Sequence, residues 1–192
     1  MRKSIDWSQY LLPVAAIVAP AAASTFVAPA CVYAADYLTV PQAQAALFPE
    51  ARGFSDRALH LSDADRDRVR EQSGVKQRWD TQAVWRAERD GQTLGWLIVD
   101  DVVGKHEFIT YAAAISPEGK VLGIEILSYR ETHGGQVREA QWRRNFVGKK
   151  LGDSFKLDED IPNISGATLS CRNLTDGVKR LLVLHKLFLA HG

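Results

Sequence analysis

Ala83-Val84-Trp85-Arg86-Ala87-Glu88-Arg89-Asp90-Gly91-Gln92-Thr93-Leu94 is the stretch that decides the fold, because the chain changes period there. Ala83 to Glu88 alternates apolar and polar residues, the pattern of a strand with one buried face. Asp90-Gly91 is a two-residue hairpin signal, since both residue types tolerate a positive φ. Leu94 to Val103 continues as a second strand rich in Val and Ile. Downstream, Phe108 to Ile115 predicts a third strand, Pro117-Glu118-Gly119 a turn, and Val121 to Tyr129 a fourth strand. In the fourth, Val121, Gly123, Glu125 and Leu127 are expected on one face, with Leu122, Ile124, Ile126 and Ser128 on the other. Strands joined by short turns build an antiparallel sheet.

On either side of these strands the period is helical. Asp36 to Gln82 reads as mainly helical: Val40 to Leu47 is Ala-rich and ends before Pro49, and Ser62 caps a second helix that stops at Ser73-Gly74. Asp63 and Asp65 suit the positive end of that helix. Arg138 to Phe146 predicts a short helix with Trp142 and Phe146 on one face. Leu169 to Leu189 carries Leu174, Val178, Leu181, Leu182, His185 and Leu189 at helical spacing, so a long amphipathic helix is expected to pack on the sheet. The fold class expected is α+β: an antiparallel sheet, a helical N-terminal part and a long C-terminal helix.

Composition narrows the function. The 192 residues hold 24 basic and 23 acidic side chains. Equal numbers remain once Arg2, Lys3 and Asp6 are set aside, so no nucleic-acid partner is expected. Residues 1–35 read as an export signal: Arg2 and Lys3 lead an uncharged run from Tyr10 to Ala35, and Val32-Tyr33-Ala34 is a small-residue cleavage site. An uncleaved leader would instead hold the protein at a membrane. A periplasmic or extracytoplasmic location is expected either way. Residues 36–82 then form the helical N-terminal part and 83–192 the functional domain. Cys31 and Cys171 show no Cys-x-x-Cys spacing, and the five histidines do not cluster, so no metal is proposed.

The chemistry lies just before the last helix, in Ile161-Pro162-Asn163-Ile164-Ser165-Gly166-Ala167-Thr168-Leu169-Ser170. The first turn of a helix offers unpaired N–H groups and a positive dipole end to an anion. Ser165, Thr168 and Ser170 add hydroxyls, and Gly166 and Ala167 clear space beside Thr168. On these residues alone, a phosphate site and a plain Ser/Thr-rich helix cap both remain open.

Ser165-Gly166-Ala167-Thr168 followed by Leu169-Ser170 resembles the flavinylation motif of the FMN-binding domain family. That domain occurs in the C subunit of the sodium-pumping NADH:quinone oxidoreductase and the G subunit of the Rnf complex. The strand and loop Gly123 to Gly135, ending Glu131-Thr132-His133-Gly134-Gly135, resembles the family's strand and glycine turn. Pro162 stands where the family usually has an Asp, three positions before Ser165. The resemblance implies FMN as cofactor, covalently attached through its phosphate to Thr168 by a flavin transferase. It implies a cofactor site made of Ser165, Gly166, Ala167, Thr168, Leu169, Ser170, Glu131, Thr132, Gly134 and Gly135. The long C-terminal helix would then follow the flavin-attachment loop. An electron carrier is expected, with a redox partner such as a membrane quinol-linked protein or a cytochrome. A small flavin reductase and an FMN-binding sensory module are the alternatives.

Overall fold

The computed structural model describes residues 35–190. The expected leader, apart from its last residue, and its cleavage site up to Ala34 lie outside them. The strands β1 (Ala35–Asp36), β2 (Gly53–Asp56), β3 (Leu59–His60), β4 (Thr81–Arg89), β5 (Gln92–Val103), β6 (Phe108–Ile115) and β7 (Val121–Tyr129) form an antiparallel sheet. Its order is β1-β7-β6-β5-β4-β2, with β3 beside the start of β4. The β4–β5 hairpin closes on Asp90 and Gly91, both at positive φ, as their sequence requires.

The two N-terminal helices form where expected. α1 (Val40–Leu47) starts from a capping box between Thr39 and Gln42. α2 (Asp63–Ser73) starts from a capping box between Ser62 and Asp65 and stops at Gly74 in the left-handed region. Between them the chain adds β2 and β3 to the outer edge of β4. Their four and two residues are too short to carry a readable strand period, and pairing with β4 supplies their order.

Each face of the sheet buries its own cluster. Ala87, Leu97, Ala112, Ala114 and Leu127 pack under α1 and Phe48. The opposite face, with Val84, Ile98, Tyr111, Ala113, Ile124 and Ile126, receives α4 (Thr168–Leu184) through Leu174, Val178 and Leu181. Strict alternation fails along β7. Register shifts at Thr110/Tyr111 and Ala114/Ile115 leave Leu127 and Leu122 without partners, so Val121 and Tyr129 join the Ile124 face. An extra residue in one strand flips the parity of everything beyond it. After β7, a 3-10 turn (Gly135–Arg138), α3 (Ala140–Arg143) and a second 3-10 turn (Arg144–Phe146) replace the expected single helix. α4 ends in a π-helical turn at His185–Leu189.

Candidate functional site: the start of α4 and the glycine loop

The approach to α4 is fixed by a tryptophan. Trp142 is buried against Phe146, and its indole N–H donates to the Pro162 carbonyl at 2.7 Å. From there the chain turns tightly, with the Ala167 N–H donating to the Ile164 carbonyl at 2.9 Å. Gly166 sits at φ +79, and nothing lies within 4 Å of where a Cβ would stand. Its glycine therefore serves the backbone conformation and not the space around it. Ala167 is the N-cap and has no side chain to close the helix; the first turn holds no acid. The first helical bond runs from the Cys171 N–H to the Ala167 carbonyl. The N–H groups of Thr168, Leu169 and Ser170 thus have no partner within the helix, at the positive end of 17 residues of aligned peptide dipoles.

The glycine loop faces this helix end. Gly134, at φ +83, is buried directly against Ala167: a Cβ on Gly134 would lie under 3.0 Å from the Ala167 Cβ and 2.7 Å from the Tyr129 hydroxyl. Both residues must be small for the loop and the motif to meet. The Tyr129 hydroxyl donates to the His133 carbonyl, and the Ser170 hydroxyl bonds the phenolic oxygen in turn. Burial holds the Tyr129 phenol above its ordinary pKa, so it remains a donor. Glu131 turns away from the helix. Its Oε1 accepts from the backbone N–H of His106 at 2.6 Å and of Glu107 at 3.0 Å, in the β5–β6 turn.

Farther along, α4 is bound to the sheet by a buried polar cluster. Arg180 pairs with Asp100 and donates to the Lys76 carbonyl at 2.8 Å. Tyr111 donates to Asp100 at 2.9 Å. Burial raises the Asp100 carboxyl above its usual range despite the neighbouring Arg180. Gly177 lets the helix come this close, since a Cβ there would meet the Tyr111 hydroxyl at 2.5 Å. Near the site, the Asn173 amide donates to the Val103 carbonyl at the end of β5.

The structure therefore brings the two sequence-predicted segments together, with different placements within each. Ser165, Gly166, Thr168 and Leu169 are exposed, as is Thr132; Gly135 is half-buried. Ala167, Ser170 and Gly134 are buried beneath them. The accessible hydroxyls are those of Ser165 and Thr168, while Ser170 is spent on Tyr129. Asp160, the nearest acid upstream of Pro162, accepts from the Ser154 hydroxyl and the Lys156 N–H, and is occupied by its own turn. Cys171 is buried under the motif, which raises its thiol pKa. Tyr129 and the Gly104 turn were not legible as site residues, because both act through contacts between segments far apart in sequence. Among the described residues, no group of three His, Cys, Asp or Glu side chains is placed to hold a metal.

The chain is 30% identical over 110 residues to the G subunit of the ion-translocating oxidoreductase complex of Stutzerimonas stutzeri, covering 52% of this chain and 48% of that one. It is 27% identical over 103 residues to the G subunit of the proton-translocating ferredoxin:NAD(+) oxidoreductase complex of Clostridium ljungdahlii, covering 50% and 55%. The chain thus spans about half the length of these curated relatives. The crystal structure of NqrC from Shewanella oneidensis shares the fold at a TM-score of 0.52 and 18% identity, over 71% of this chain and 81% of that one. Residues 104–183, which include the β5–β6 turn, the glycine loop and most of α4, match the model of the FMN-binding domain.

Proposed function

We propose that this protein is an exported electron carrier that holds one FMN, joined by a phosphoester to Thr168. The observation that carries the reading is the exposed Thr168 hydroxyl at the first position of a long, uncapped helix, beside the Gly134–Ala167 contact. A phosphate there meets unpaired N–H groups and the positive helix end. The residues present suit the group. Thr168 and the first-turn N–H groups would hold the phosphate, and the loop Thr132 to Gly135 would lie beside the ring. Bound FMN accepts one or two electrons, and the protein's part is attachment, orientation and exclusion of competing contacts.

Attachment needs a flavin transferase with FAD as donor. The Thr168 oxygen bonds to the FMN-side phosphorus, the pyrophosphate P–O bond breaks, AMP leaves, and the hydroxyl proton is released. A covalent link keeps the flavin in place outside the cytoplasm. The uncharged run behind Arg2 and Lys3 supports that location. Among the described residues, no helix is long and apolar enough to cross a membrane. Because the relatives are named as subunits of ion-translocating oxidoreductase complexes, the partner is taken to be a membrane redox protein, quinol-linked or a cytochrome.

Intact mass of the mature chain, produced with and without a flavin transferase, tests the reading. A gain of one FMN less one water, seen only with the transferase and absent in Thr168→Ala, is expected. Yellow colour that washes out on denaturation, with no mass gain, would sink the covalent claim; no flavin under any condition would sink the whole reading.

A further inference from the structure

Glu131 belongs to the family-like loop, yet its carboxylate does not face the start of α4. It reaches across to the β5–β6 turn and accepts two backbone N–H groups, those of His106 and Glu107. That turn is shaped to receive it. Gly104 has an ordinary backbone conformation, so glycine is not needed there for its φ. A Cβ on Gly104 would instead lie under 3.0 Å from Glu131 Oε1 and at 3.0 Å from its Cγ and Cδ. Glycine at 104 leaves the room that the carboxylate fills.

The other end of the loop is also held, through the Tyr129 hydroxyl on the His133 carbonyl. Between the two anchors lie Thr132 and His133, both exposed, and then Gly134, seated on Ala167. We infer that Glu131 is a positioning residue: it latches the glycine loop to the β5–β6 turn and thereby sets where that loop stands opposite Thr168. The inference deepens the FMN reading and rests on it for its second arm only. An ionised carboxylate accepting two N–H groups is among the stronger hydrogen-bonded arrangements, and its loss frees one end of the loop.

Three variants and two readouts test this. Glu131→Ala removes the latch, Gly104→Ala expels the carboxylate sterically, and Glu131→Gln keeps an oxygen that can accept both bonds. The first arm is amide hydrogen exchange on the flavin-free chain. Exchange of the His106 and Glu107 amides and of residues 132–135 is expected to rise about tenfold in Glu131→Ala and Gly104→Ala, the factor for one charge-assisted bond. Glu131→Gln is expected to restore most of the protection. The second arm is visible circular dichroism and redox potential of the flavin-loaded chain, at equal mass gain on Thr168. Both are expected to shift in the two alanine variants and to return in Glu131→Gln. Unchanged exchange at 132–135 would overturn the latch. Lost protection with a wild-type flavin spectrum and potential would make Glu131 a turn stabiliser only, and overturn its positioning role. If even the wild-type chain takes up no flavin, the functional reading fails, and exchange at 132–135 alone decides the latch.

Discussion

Replacing Gly134 by Ala tests the contact on which the site depends. Two costs act there. An L residue in the left-handed region pays about 1–2 kcal/mol. Forcing a methyl under 3.0 Å from the Ala167 Cβ and 2.7 Å from the Tyr129 hydroxyl adds overpacking of about 1–3 kcal/mol. The total is roughly 2–5 kcal/mol. Gly166→Ala is the matched control, because its φ of +79 nearly equals the +83 of Gly134 while no atom lies within 4 Å of its Cβ position. It is expected to cost only the conformational part, about 1–2 kcal/mol. Urea unfolding of the two variants measures the difference directly. Adding Ala167→Gly to Gly134→Ala removes one of the two clashes and is expected to recover part of the loss. Equal destabilisation by Gly134→Ala and Gly166→Ala would refute the claim that the loop and the motif are pressed together.

Arg180→Met leaves the Asp100 carboxylate buried without its counter-charge, and a loss of about 3–5 kcal/mol is expected by urea unfolding near pH 7. Burial already raises the Asp100 pKa, so its stabilising share is largest below the unfolded carboxylate pKa and falls as pH rises; the Arg180→Met deficit is therefore expected to shrink towards pH 4. His185 is the opposite case. It is buried with no partner on Nε2, and burial lowers its pKa. Its stabilising share is present above the unfolded histidine pKa of about 6.5 and is lost as pH falls through the folded value. His185→Leu is expected to flatten the stability profile between about pH 5 and 7, and an unchanged profile would contradict the buried neutral imidazole. For Glu131, burial raises the carboxyl pKa, but hydrogen bonds from Glu107, His106 and Lys105 outweigh it and hold the value low. Protection of the His106 and Glu107 amides is thus expected to persist above the ordinary carboxylate range and to vanish as pH falls below it, read by hydrogen exchange corrected for intrinsic rates.

Legibility followed the range of the forces involved. The Phe108–Ile115 and Val121–Tyr129 strands and the Val40–Leu47 helix were readable to the residue, because period, caps and turn residues are local properties. β2 and β3 were not, since strands this short owe their form to the β4 edge they pair with. The side on which Val121 falls depends on a bulge that only the pairing partner defines. The start of α4 was readable as an anion-friendly helix end, but the separate roles of its three hydroxyls were not. Ser170 looks equivalent to Ser165 in the sequence, and only the fold puts Tyr129 against it.

By itself the sequence determined the four long strands and the helices α1, α2 and α4, the turn at Asp90-Gly91, the small-residue entry to the last helix, and the resemblance that names Thr168. Those are properties of neighbours along the chain. Tertiary structure alone decided that Gly134 rests on Ala167, that Glu131 serves the Gly104 turn, and that Arg180 meets Asp100 eighty residues away. Such contacts form only where the antiparallel sheet brings distant segments together, and their energies depend on burial and close approach, neither of which is written in local sequence.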